Sequence, residues 1–269
     1  MNDSNVIGAI LGAERTRLSL TISKVCDGLC SASTYNRYEG GKMLPDKFML
    51  SALLERMGKN PNRVVYTVTD EEQKLLDIKN NILDSFSQGD YDKAKEYLKE
   101  YSDIPKTRCK NIHNQFVLEM EGDLSKAQDD ALKALDLYKE AFHQTCNKNR
   151  LENLNESLFT VREFNLLYKI GLICDFDLLF KLGYFLRRLN DNHFLKVVFY
   201  GDLVADLVMG SEDRWKRQMQ LEYIQEAIAY KRRIKQSNGM VRLLQLKEKN
   251  VGELSDEERV LMNIDRLLT

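Results

Sequence analysis

Proline is scarce in this 269-residue chain, at 3 residues, and glycine stands at only 14. So few breakers exclude a fold built on elaborate turns and favour long helices. The five cysteines, at 26, 30, 109, 146 and 174, are odd in number and scattered, as reduced thiols are rather than a disulfide framework. Cys26 and Cys30 lie four apart, but no His or further Cys is near in sequence, so they read as small core residues and no metal is expected. His113, His143 and His193 are isolated, and the first two read as surface or groove residues of helices. A Gly-rich phosphate loop, His-Glu-x-x-His, Gly-x-Ser-x-Gly and a paired-Cys zinc pattern are all missing, so no enzyme and no cofactor are expected. Neither sign of charge dominates: 40 Lys and Arg face 41 Asp and Glu, and the sequence pI is near 6.4. The chain is therefore no polycation made to coat nucleic acid. The longest apolar stretch, around Phe194, is broken by Lys196 and Asp202. It falls short of a membrane span, and Met1-Asn-Asp-Ser does not open a signal peptide. A cytoplasmic protein with no membrane partner is the expectation.

What is present begins near the N-terminus. Residues 21–26 read as a short helix and Asp27-Gly28-Leu29 as a turn. Ser31 then opens a second short helix, which Gly40-Gly41 ends. Helix, tight turn, helix is the geometry that pushes one helix into a DNA major groove. Ser31 is placed to cap the second helix and leave amides for a phosphate. Tyr35 and Tyr38, three apart, pack inward, while Ala32, Ser33, Asn36 and Arg37 share the outward arc. Arg37 can reach phosphate or guanine, and Asn36 can pair with adenine. Gly41 suits a left-handed stop.

The run Ser33-Thr34, Tyr35, Asn36, Arg37, Tyr38, Glu39, Gly41, Lys42 and Pro45 resembles the lambda-repressor-like (XRE-type) helix-turn-helix family. The resemblance implies a compact five-helix DNA-binding domain completed by residues 43–57, with double-stranded operator DNA as partner. In it the Glu39 carboxylate ties the helix end to the rest of the domain. The DNA-contacting candidates are Thr21, Ser31, Ala32, Ser33, Thr34, Asn36, Arg37 and Lys42. Two positions depart from the family. Ile22 stands where a Gln usually braces the helix on the DNA backbone, and Ala32 where a longer polar residue would read a base. These departures keep an alternative open, a protein-interaction scaffold whose helix-turn-helix does not bind DNA. Residues 1–60 carry about eight basic against about six acidic residues, a balance that suits two weak half-sites on a dimer.

Lys59-Asn-Pro-Asn-Arg63 is a turn cluster, and the domain boundary is expected at about 60–69, giving domains 1–65 and 66–269. Beyond it the fold class reads as all-α throughout, with about ten or more helices and no competing strand alternation. Thr69–Glu72, Thr160–Glu163 and Ser255–Glu258 are capping boxes. Gly89-Asp-Tyr91-Asp-Lys-Ala94 recurs as Gly122-Asp-Leu124-Ser-Lys-Ala127, a shift of about 33 residues. In this reading each Gly is a turn between two helices. The pattern is similar to the tetratricopeptide (TPR) repeat, an α-solenoid.

A helix-turn-helix followed by a TPR array resembles the RNPP-type (Rgg- and PlcR-like) quorum-sensing regulators of low-GC Gram-positive bacteria. The resemblance implies that the array dimerises and that its concave surface binds a short signalling peptide, which changes how the two heads sit. Asn81, Asn111, Asn114 and Asn165 are the peptide-gripping candidates, because side-chain amides hold an extended backbone without reading its sequence. Trp215 with Arg214, Lys216 and Arg217 reads as inter-repeat core or as a basic-aromatic edge. The apolar load of the last helix (Val260, Leu261, Ile264, Leu267, Leu268) predicts a homodimer held by the repeat domain.

Overall fold

In the computed structural model, residues 3–146, 153–211, 216–237, 239–251 and 254–268 are described, with backbone alone for residues 251 and 264–268. All the regular elements among them are helical. The α-helices are α1 (Asp3–Arg17), α2 (Ile22–Cys26), α3 (Ala32–Glu39), α4 (Lys47–Arg56), α5 (Asp70–Ser87), α6 (Tyr91–Asp103), α7 (Lys110–Ala127) and α8 (Ala131–His143). They continue with α9 (Val161–Cys174), α10 (Phe176–Arg188), α11 (Phe194–Gly210), α12 (Arg217–Arg233), α13 (Met240–Val251) and α14 (Asp256–Leu268). None is long and apolar enough to cross a membrane. Trp215 and Arg214 lie outside the described residues.

The helix starts follow the local chemistry. In each of the three capping boxes the Glu carboxylate accepts from the cap amide while the Thr or Ser hydroxyl accepts from the Glu amide. Two otherwise orphaned donors are thereby satisfied at each end.

Contacts divide the chain into two compact units, Met1–Ile173 and Cys174–Thr269. The boundary anticipated at 60–69 lies inside the first unit. Helices α1–α4 and a 3-10 turn at Pro61–Arg63 form its head, in place of five full helices. Ile7, Leu11, Val25, Tyr35, Leu50, Leu53 and Leu54 fill the head's core. Phe48, also from α4, points the other way and packs with Leu75, Ile78, Ile82, Tyr101 and Phe116 of the helices that follow. Burying an aromatic ring of this size is worth about 3–5 kcal/mol against Ala, so head and first hairpins share a core.

The hairpins α5–α6 and α7–α8 repeat each other, but not in the register the sequence suggested. Gly122 is inside α7, not at a turn. A Cβ there would collide with the Tyr138 ring, so this glycine lets α7 and α8 approach closely. The true equivalent of Gly89 is Asp129, and the shift is 40 residues. Gly89 and Asp129 both take left-handed φ, +71° and 61°. Asp90 and Asp130 then cap α6 and α8 through their carboxylates. The Asp90 and Asp130 amides donate to the Ser85 and Ser125 carbonyls at 2.9 and 3.0 Å, and Ala94 and Ala134 are both fully buried. Asp tolerates the left-handed conformation better than most residues, which hid the repeat from a search keyed on glycine.

In the second unit α10 packs on α11, α11 on α12 and α13, and α13 on α14. Gly183 faces Leu207, and Gly201 faces the end of the Lys231 side chain, so a Cβ at either position would have to displace that side chain.

Candidate nucleic-acid interface

Thr21 caps α2, its hydroxyl accepting from the Lys24 amide at 3.2 Å, and Ser31 caps α3 by accepting from the Thr34 amide at 3.0 Å. Between them Gly28 takes φ +72°, and the turn puts Val25, Cys26 and Leu29 into the core. Tyr35 and Tyr38 are buried as expected. Burial pushes the Cys30 thiol up to about 12, so this residue is held as a neutral core group. Glu39 receives a two-pronged bond from Arg15 of α1, Nη2 at 2.6 Å and Nε at 2.9 Å. Gly8 of α1 lets the helices meet, since a Cβ there would strike the carbonyls of Tyr38 and Glu39. The exit of α3 is closed by Gly41 at φ +67° and by the Lys42 amide, which donates to the Arg37 carbonyl at 2.9 Å.

Of the DNA-contacting candidates, Thr21, Ser31, Ala32, Ser33, Asn36, Arg37 and Lys42 are exposed, and Thr34 is half-buried with its hydroxyl 2.9 Å from that of Ser31. The outward arc of α3 is therefore exposed along its length and polar at Ser33, Asn36 and Arg37. Asn36 is turned back on its own helix, its amide donating to the Ala32 carbonyl at 3.0 Å. It must rotate about χ1 and χ2 before it can pair with a base. Ile22 is half-buried against the head's core.

The four asparagines do not converge. Asn81 and Asn114 are exposed on α5 and α7. Asn111 turns to the head and donates to the Gly28 carbonyl at 2.6 Å. Asn165 donates to Glu119 at 2.7 Å and belongs to a charged cluster absent from the sequence reading. There Lys169 bridges Glu119 (2.9 Å) and Asp123 (2.7 Å), and Arg162 also pairs with Glu119. Burial works against the Glu119 charge, but Arg162 and Lys169 outweigh it and hold its pKa at about 2. Nearby, the Lys79 ammonium lies 5.7 Å from the Phe48 ring centre and 5.6 Å from that of Phe116, and the Arg162 guanidinium covers the same Phe116 ring at 4.6 Å. Burial, then Arg162, pulls Lys79 down to about 8. The spacing of 119 with 123, and of 162 with 165 and 169, places each set on one helix face, a signal legible in the sequence. His113 is not a surface residue. It is buried, with Nδ1 2.6 Å from the Tyr101 hydroxyl.

No family model and no curated protein matches the sequence. Among solved structures the chain is similar to the crystal structure of Bacillus thuringiensis PlcR in complex with the peptide PapR7 and DNA. The match has 14% identity, covers 96% of this chain and 91% of that one, and has a TM-score of 0.48.

Proposed function

We propose that the chain is a DNA-binding transcriptional regulator in which residues 1–65 read double-stranded operator DNA. The observation that carries this reading is α3 itself: capped at Ser31, anchored through Glu39 to Arg15, and bare along Ala32, Ser33, Asn36 and Arg37. Free amides of its first turn and the exposed Arg37 supply phosphate contacts that hold register, while Asn36 and Ser33 supply base readout. Residues 66–269 form the sensing and dimerisation part. Val260 and Leu261, exposed on α14, motivate the homodimer.

A shift assay with sheared genomic DNA across a salt series tests the first claim. Retarded fragments whose affinity falls steeply with salt are expected, and sequencing them defines the operator. Absence of any salt-dependent shift refutes the reading. Ile22, packed on the core, and Asn36, bonded to its own helix, favour the second reading in that case: an interaction scaffold with a helix-turn-helix that does not bind DNA.

A further inference from the structure

The turn between α2 and α3 is held by side chains from α4 and from beyond the head. Arg56, at the end of α4, is only 1% exposed. Its Nη1 donates to the Val25 carbonyl at 3.2 Å and to the Asp27 carbonyl. Its Nη2 donates to the Thr145 carbonyl at 3.2 Å and to Glu163 Oε1 at 2.5 Å. Glu163, in the first turn of α9, has no exposed surface and also accepts from the Thr145 hydroxyl at 2.7 Å. Gln115 of α7 completes the set, donating to the Thr145 hydroxyl at 2.6 Å. Asn111 holds the Gly28 carbonyl, and a Cβ on Gly28 would strike the Thr145 carbonyl. Backbone carbonyls 25, 27 and 28 are thus all tied by side chains, two of them through a guanidinium whose partner is 107 residues downstream.

We infer that Arg56, Glu163 and Asn111 are positioning residues for DNA recognition: Arg56 of the head, held by Glu163 of α9, and Asn111 of α7 together set the α2–α3 turn, and through it the presentation of α3. The inference rests on the DNA-binding reading above. A buried ion pair alone is weak evidence of a stabilising role, since apolar residues of similar size often replace one without loss. What apolar residues cannot replace is the set of donors to the turn carbonyls, each of which has to find water or a new partner once Arg56 is gone. Lys is no substitute either, because one ammonium cannot span three carbonyls on two segments and the Glu163 carboxylate as a planar fork does.

The test separates positioning from stability. In the full chain, R56M/E163M is expected to stay folded without denaturant but to unfold at a lower urea concentration than the parent, since the carbonyls that Arg56 serves lose their donor. Amide exchange of residues 27–31 should rise at least tenfold, with α5–α8 unchanged, and operator affinity should fall at least tenfold. A folded double variant with parental exchange in the turn and parental affinity overturns the inference. Should the double variant fail to fold, Asn111→Ala decides: faster exchange at residues 28–30 with weaker operator binding supports the inference, and parental values for both overturn it. If the parent itself binds no DNA, the function proposed above falls, and exchange in the turn still decides whether these residues set it.

Discussion

Mild acid should weaken the first unit through one imidazole. His113 sits 4.6 Å from the Phe48 ring centre, edge to face, and beside the Tyr101 hydroxyl. Burial first, then repulsion from Lys106 and Lys79, lowers its pKa from 6.5 to about 4. The folded state therefore prefers the neutral ring, while the unfolded chain takes up a proton near pH 6.5. The contribution to stability is complete above pH 6.5 and is lost as pH falls toward 4. At about 1.4 kcal/mol per unit the full loss is about 3 kcal/mol, and about 2 kcal/mol of it falls between pH 7 and 5. Urea unfolding at a series of pH values measures it, with His113→Gln as the control, since Gln keeps an acceptor for Tyr101 and does not titrate. The parent should lose about 2 kcal/mol more than the variant over that interval. Equal slopes for the two proteins refute the assignment.

Arg37→Ala should weaken operator binding by about 1–3 kcal/mol with helicity unchanged, and Asn36→Ala should relax preference at one base position; parental binding by both removes α3 as the reading helix. Gly122→Ala should destabilise despite a helix-propensity gain of about 1 kcal/mol, because overpacking against Tyr138 costs about 1–3 kcal/mol; a stabilised variant would mean that α7 and α8 do not meet there. A protease should cut within residues 62–67, where Val65 is 97% exposed, yet the two fragments should co-migrate in size exclusion because Phe48 and Arg56 still bind the repeats. Sedimentation of the full chain should give a dimer at micromolar concentration, and Val260→Glu with Leu261→Glu should give a monomer; a parent that is monomeric at high micromolar concentration excludes the homodimer.

Elements carried by local chemistry were legible in the sequence. The capping boxes, the Ser31 cap, the inward pair Tyr35–Tyr38 and the stop at Gly41 all depend on residues within a few positions of each other, and the structure has them where the spacing put them. Glu39 was legible too, because its partner role belongs to the motif. What failed was of two kinds. Gly122 was taken for a turn because glycine serves both turns and close helix crossings, and the residue that decides between them, Tyr138, lies 16 positions on. The second kind was long-range contacts: Asn111 and Asn165 read as peptide-gripping candidates and Glu163 as a capping residue, and none of these readings includes the distant partner each one has. Their partners, Gly28, Glu119 and Arg56, are 46 to 107 residues away, and no periodicity reports a contact at that distance.

The long reach of Arg56 has a consequence for synthesis. The head leaves the ribosome first, with its own core of Leu11, Val25, Tyr35 and Leu50 ready to collapse. Its guanidinium must wait for Thr145 and Glu163, the latter 107 residues later. At about 5–20 residues per second that is roughly 5–20 s of translation. Through this interval the nascent head carries a charged side chain at a position meant for burial. A chain that terminates early, or stalls before α9, lacks the carboxylate that neutralises Arg56, and its α2–α3 turn is held by a guanidinium without its counter-charge.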